Sequence, residues 1–278
     1  MKFVKGHGTG NDFVIIGDPD GALDLTPQLV AALCDRHRGI GADGVLRVVR
    51  SAKHPDAAGH AAEAEWFMDY RNSDGSLAEM CGNGVRVFTR YLLEHGLAAP
   101  HAGGLPVATR SGVVRAVIDG PTINVHMTTP RVYAASTASL GALTVPGVAV
   151  DCGNPHLVCH ISASLDDLDL LRAPAFDEIL FPAGVNVEFV TAADRVDGAD
   201  LHVRMRVYER GSAETLSCGS GALAVGAVAL RDAGLTFGRV AVDLPGGRLT
   251  VTATETGEWW LAGPAVLVAT GEVDVAAL

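Results

Sequence analysis

Two cysteines that share one local sequence are the residues best suited to chemistry in this chain. Cys81-Gly82-Asn83-Gly84 and Cys218-Gly219-Ser220-Gly221 stand 137 residues apart, and each opens a stretch that reads as a helix. A cysteine immediately before a helix meets unpaired backbone N–H groups and the positive end of the helix dipole. Both favour the thiolate, the reactive form of the residue. The neighbouring glycines let backbone approach a ligand closely, and the same N–H groups suit a carboxylate. Each tetrapeptide therefore offers an acid or base beside an anion pocket. Two such units facing each other, one sulfur a thiolate and one a thiol, would take a proton from one side of a carboxylate-bearing carbon. They would return a proton on the other side, inverting the centre. Cys34, inside an expected helix, reads instead as a buried core thiol.

Other chemistries fit less well. A pyridoxal enzyme needs a lysine for its Schiff base. The three lysines are Lys2 and Lys5 at the start of the chain and Lys53 in a small-residue loop, and none follows a cofactor motif. Cys152, His156, Cys159 and His160 put two thiols and two imidazoles into nine residues. Along a strand, 156 and 160 face one side and 159 the other, which speaks against a metal site. The glycine runs near Gly6 and Gly39 do not give the Gly-x-Gly-x-x-Gly of a dinucleotide fold. Neither a metal nor an organic cofactor is expected.

The elements that must position the cysteines repeat as well. Each cysteine follows a strand (Trp66–Tyr70, Met205–Tyr208) and a polar turn, then leads into a helix, Gly84–His95 or Ser220–Asp232. Asn72 and Glu209 lie nine residues before their cysteines. A repeat at half the chain length predicts two similar domains related by a pseudo-twofold axis. A further helix is predicted over Pro27–His37, with Thr26 as its N-cap. Short strands broken by glycine and proline fill much of the rest, making the fold class α+β with few helices. The stretch 128–148, rich in Ala, Ser and Thr, reads as the crossing between domains, which are expected at 1–127 and 128–264.

Composition narrows the partners. The 278 residues carry a formal charge of −11, against a nucleic-acid surface, which needs clustered cations. Glycine is 33 of 278 residues, about 12% against the usual ~7%, so the chain turns often or brings backbone close to a ligand. The start, Met1–Phe13, lacks the apolar core of a signal peptide, and no apolar run reaches the ~20 residues of a membrane span. A cytoplasmic location is expected. There, five cysteines are thiols rather than a disulfide framework.

The ordered motifs resemble the diaminopimelate epimerases, pyridoxal-independent enzymes that convert LL- to meso-diaminopimelate for lysine and peptidoglycan precursor synthesis. The matching segments are Gly10-Asn11-Asp12-Phe13, Gly39-Ile40-Gly41-Ala42-Asp43-Gly44, Arg71-Asn72-Ser73-Asp74-Gly75-Ser76, Glu79–Arg86, Gly153-Asn154-Pro155-His156, Gly184–Glu188, Glu209-Arg210-Gly211 and Ser217–Gly221. The resemblance implies that Cys81 and Cys218 are the acid–base pair. It implies that backbone N–H groups at Gly82, Asn83, Gly219 and Ser220 hold the reacting α-carboxylate. Asn11, Asn72, Asn154, Asn186 and Arg210 would bind the substrate, largely at its distal end. His156 and Glu209 would bear on the cysteines' protonation, Glu209 also lying near the reacting ammonium. Arg210 suits a carboxylate, and asparagines supply donors and acceptors to a zwitterion. The family fold implies a sheet wrapped around a central helix in each domain, with a last strand, about 265–278, returning to the first domain. A homodimer is implied too, although Ala269 stands where some members carry a tyrosine associated with dimerisation. Gly44 stands where many carry glutamine, leaving that substrate contact absent or made by backbone. The nearest rival is the proline racemase and hydroxyproline epimerase group, which usually reads Cys-Gly-His where this chain has Cys81-Gly82-Asn83. A rival of another class is a thiol redox or metal-binding protein.

Overall fold

Residues 1–101 and 103–278, described by the computed structural model, form eighteen strands and three α-helices. They divide into two units, one of residues 1–125 with 263–278, the other of 126–262. In the first unit, β1 (Lys2–Gly8) and β2 (Asn11–Gly17) make an antiparallel hairpin. Its turn residues Thr9 and Gly10 have φ of 53° and 84°, the positive values that a two-residue hairpin turn favours. Helix α1 (Pro27–Cys34) starts where Thr26 Oγ1 accepts the Leu29 N–H at 3.2 Å. It was expected to reach His37. It stops at Cys34 because Asp35 turns extended and its carboxylate takes the His37 and Arg38 N–H groups at 2.7 and 2.8 Å. Strand β3 (Gly44–Arg50) lies parallel to β2, and β4 (Trp66–Asn72) antiparallel to β3. Helix α2 (Gly82–Glu94) leads to β5 (Leu105–Thr109), β6 (Gly112–Asp119) and β7 (Thr122–Met127).

The stretch read as a domain crossing is mostly an antiparallel hairpin of the second unit, β8 (Arg131–Leu140) and β9 (Leu143–Asp151). Of β8 only Ala138 and Leu140 are buried, so its sequence shows little of the apolar alternation that marks a strand. Then come β10 (Pro155–His160), the short β11 (Ala175–Phe176), β12 (Asn186–Ala192), β13 (Leu201–Glu209) and β14 (Ala213–Thr215). Helix α3 (Gly219–Asp232) precedes β15 (Gly238–Leu244), β16 (Gly247–Ala253) and β17 (Trp259–Pro264). Finally β18 (Val266–Glu272) pairs antiparallel with β1, inside the first unit.

The pairing pattern is the same in both units. In the first, the order β18-β1-β2-β3-β4-β5-β6-β7 is antiparallel except for the β2–β3 and β4–β5 neighbours. In the second, β8-β9-β10-β12-β13-β15-β16-β17 is antiparallel except for β10–β12 and β13–β15. Each sheet curls around one helix entered by a cysteine. Helix α2 packs on β1 to β6 and β18, and α3 on β9, β10, β12, β13, β15 and β16. Val85, Phe88 and Leu92 of α2 and Leu223, Val225 and Val228 of α3 are buried, each large side chain contributing roughly 1.5–3 kcal/mol. Among the described residues no helix is long and apolar enough to cross a membrane.

Candidate active site

Cys81 is the N-cap of α2, and its Sγ accepts the Gly84 N–H at 3.3 Å. Asn11, at the start of β2, approaches from the β1–β2 hairpin. Its Oδ1 lies 3.6 Å from Cys81 Sγ and accepts from Asn83 Nδ2 at 3.3 Å, while its own Nδ2 donates to Asp43 Oδ2 at 2.8 Å. Thus Asn11, Cys81 and Asn83 form one cluster. Asn72 ends β4 and turns into its own loop, donating to Ser76 Oγ at 2.9 Å. That loop leads to Cys81 and is tied down by Arg110, which donates to the carbonyls of Tyr70 (2.9 Å) and Ala78 (3.3 Å). The Arg110 guanidinium is in turn held by Asp69, which also takes Arg71 at 2.9 Å. Gly44 pairs with Phe13 on one side and Asn72 on the other. A Cβ there would meet Arg71 O at 2.5 Å and Tyr70 Cε2 at 2.7 Å, so the strands leave no room for a side chain at this place.

In the second unit Cys218 caps α3 in the same way, its Sγ accepting the Gly221 N–H at 3.4 Å. Ser220 Oγ lies 3.7 Å from the sulfur. The parallel β10–β12 pairing sets His156 opposite Asn186, and the ends of β10, β12 and β13 meet beneath the helix entrance. His156 Nε2 donates to Asn154 Oδ1 at 3.0 Å, and its Nδ1 is hydrogen-bonded to Glu188 Oε1 at 2.6 Å. Asn186 Oδ1 accepts the Arg210 N–H at 2.9 Å, and the Arg210 guanidinium donates to Ala183 O at 3.0 Å. Glu209 accepts from the Thr215 hydroxyl. Asn154, His156, Asn186, Glu209, Arg210, Cys218, Gly219 and Ser220 therefore gather at one end of this sheet.

Glu188 belongs to the same cluster and carries no assignment in the sequence reading. It is fully buried, its Oε2 has no hydrogen-bond partner, and its Oε1 lies under Gly221. The available signal was one acid in an apolar strand, Val185–Val190. Burial pushes the Glu188 carboxyl up, against the pull of His156. Burial also raises Glu209, opposed by the Thr215 hydrogen bond. For Cys218, burial and then the charges of Glu209 and Glu188 push the thiol well above its ordinary value. The remaining cysteines are buried core thiols. Burial pushes Cys34 and Cys159 up to about 12 and raises Cys152 as well. Among the described residues no three His, Cys, Asp or Glu side chains are placed to hold a metal ion.

Comparison with known proteins sets this geometry in a family. The model of the family described as diaminopimelate epimerase matches residues 3–133 and 148–275. The interval it skips lies almost wholly in the β8–β9 hairpin. The chain is 51% identical to a diaminopimelate epimerase of Streptomyces coelicolor, over 99% of this chain and 96% of the relative. It is 50% identical to one of Thermobifida fusca over the full length of both. Among solved structures, a phenazine biosynthesis protein of the PhzF family from Bacillus anthracis superposes with a TM-score of 0.69 at 17% identity, covering 98% of each chain. A hydroxyproline epimerase from Agrobacterium vitis gives 0.62 at 16%, covering 98% of this chain and 90% of that one. At such identities the structural likeness speaks for the fold alone.

Proposed function

Because the chain belongs to the diaminopimelate epimerase family, we propose that it interconverts LL- and meso-diaminopimelate without a cofactor, with Cys81 and Cys218 as its two proton-transfer groups. The observation that carries this reading is the matched placement of the sulfurs. Each caps a glycine-rich helix and accepts the N–H three residues on, at 3.3 and 3.4 Å. A helix entrance stabilises both a thiolate and a bound carboxylate. In this reading the α-carboxylate takes backbone N–H groups at Gly82, Asn83, Gly219 and Ser220. Charge drawn there makes the α-C–H more acidic. One sulfur, as thiolate, takes the α-proton and becomes a thiol. The other, a thiol, gives its proton to the opposite face and becomes a thiolate. One C–H bond breaks and one forms, and the two sulfurs exchange protonation states.

The polar clusters take the rest of the substrate. Asn11, Asn72, Asn154, Asn186 and Arg210 bind polar groups of the substrate, largely at its distal amino-acid head, Arg210 as a carboxylate partner. Glu209 lies near the reacting ammonium, and with His156 it sets the protonation of the cysteines. The proposed setting is the cytoplasm, in the supply of lysine and peptidoglycan precursors. Incubation with LL-diaminopimelate in deuterated water tests the reading. Deuterium should enter the α-position as the meso isomer accumulates, while proline stays unexchanged. Exchange into proline, with none into diaminopimelate, would move the chain to the proline racemase reading.

A further inference from the structure

Arg86 lies five residues after Cys81 in α2 and is the bulkiest of the fully buried side chains. Its Nε donates to Pro264 O at 3.3 Å and its Nη2 to Thr9 Oγ1 at 3.1 Å, while Nη1 is buried with no acceptor. Gly8 makes room for it, since a Cβ there would meet Nη2 at 2.9 Å. No carboxylate pairs with this guanidinium among the described residues. An unpaired buried cation is strongly unfavourable unless an opposite charge lies near. The ionisable group whose charge acts on Arg86 is Cys81. Burial pulls the guanidinium down to about 10, Cys81 opposes this, and Arg86 stays cationic at neutral pH.

The second unit inverts this arrangement. Five residues after Cys218 stands Leu223, fully buried and apolar. Under the third helical residue, the first unit has Leu46 against Gly84 and the second has Glu188 against Gly221. Nine residues before the cysteine, the first unit has Asn72 and the second the half-buried Glu209. We infer that the two repeats set the resting protonation of their sulfurs with side chains of opposite kind, a buried guanidinium in the first and carboxyls, one of them bonded to His156, in the second. Arg86 is a positioning residue that holds Cys81 as the thiolate, and Glu188 with Glu209 holds Cys218 as the thiol. This rests on the reading of the two sulfurs as the proton-transfer pair.

The other charges on elements around α2 are engaged elsewhere or exposed. Lys5 of β1 pairs with Asp12 of β2, which also binds Arg36, and Arg47 of β3 and Arg71 of β4 share Asp69. His7 of β1 accepts the Gly10 N–H. Tyr70 of β4 packs edge-on against Phe13. Glu79, Arg115 and Asp119 are exposed, Arg90 and Glu94 pair farther along α2, and Lys2 and Glu272 lie at the far end of the β1–β18 ladder.

The test is the pH dependence of iodoacetamide modification, mapped by peptide mass in the free enzyme. The midpoint is read rather than the rate, because burial alone slows a thiol. Cys81 should titrate below neutrality and Cys218 far above it. Arg86→Met should raise the Cys81 midpoint by at least about one pH unit, a tenfold fall in thiolate, and Arg86→Lys should restore most of the shift. An unchanged midpoint in folded Arg86→Met overturns the inference. If that variant does not fold, the 240 nm thiolate absorbance of the unaltered enzyme is compared with that of Cys81→Ala at pH 7. No difference overturns the inference as well. Neither measurement involves substrate, so a Cys81→Ala enzyme that still turned over would overturn the catalytic reading separately.

Discussion

Cys81 and Cys218 occupy one position of a repeated structure and differ in their surroundings, a buried guanidinium on the helix that Cys81 caps and, around Cys218, the buried Glu188 with the half-buried Glu209. A two-base inversion needs both. Removing either should do more than remove an ordinary acid or base, which is worth about 10²–10⁴-fold. Cys81→Ala and Cys218→Ala should each cut turnover of LL-diaminopimelate, followed as isomer composition, by at least ~10³-fold. Cys34→Ala, a change in the buried core around α1, should keep most of it. Near-native turnover in either active-site variant would remove that sulfur from the reaction. The cysteines were legible because type and spacing recur around them. Arg86 and Glu188 were not, although both lie within matching segments. A lone charge in an apolar run says nothing about what it faces until the strands are paired. Here the β10–β12 register and the Gly221 backbone put Glu188 under Cys218.

At the scale of elements, the same helix entrance is built on different floors. A Cβ added at Gly84 would meet Cys81 Cβ and Leu46 Cδ2 at 3.4 Å, the edge of ordinary contact. One added at Gly221 would meet Glu188 Oε1 at 2.7 Å and Cys218 Cβ and Sγ at 3.3 Å. Gly84→Ala should therefore leave Tm nearly unchanged. Gly221→Ala must displace a buried carboxyl or the sulfur, at a cost of about 1–3 kcal/mol, with a larger loss of turnover. Equal effects in thermal melts and activity would show that the floors are equivalent. The helices themselves were readable to within a turn, since each has apolar spacing and a clear stop after it. The β8–β9 hairpin was not, because small polar residues on a mostly exposed strand give no period. The pairing of β18 with β1 joins residues more than 250 positions apart, and only the family likeness pointed to it.

For the whole molecule, a shared pairing order in two units means that one sheet plan serves both cysteines, with the eighth strand supplied by β18 in one unit and β8 in the other. Both plans also bury thiols, and that links global stability to alkaline pH. Cys34 in the first unit and Cys159 in the second are pushed by burial from about 9 to about 12, and Cys152 and Cys218 move the same way. Unfolded, these thiols ionise near pH 9; folded, they keep their protons to much higher pH. Between those values the unfolded chain binds fewer protons, so stability falls as pH rises, by up to about 1.4 kcal/mol per pH unit for each thiol. The contribution is complete below pH 9. Burial also raises Tyr91 and Tyr133, but from 10, so the thiols should act first. Tm measured from pH 8 to 10.5 should begin to fall near pH 9. In a Cys34→Ala/Cys159→Ala double variant the fall between pH 9 and 10 should be shallower, even though its Tm at pH 8 is lower from lost packing. If the two slopes coincide, the buried thiols do not govern the alkaline limb and the tyrosines are left to account for it.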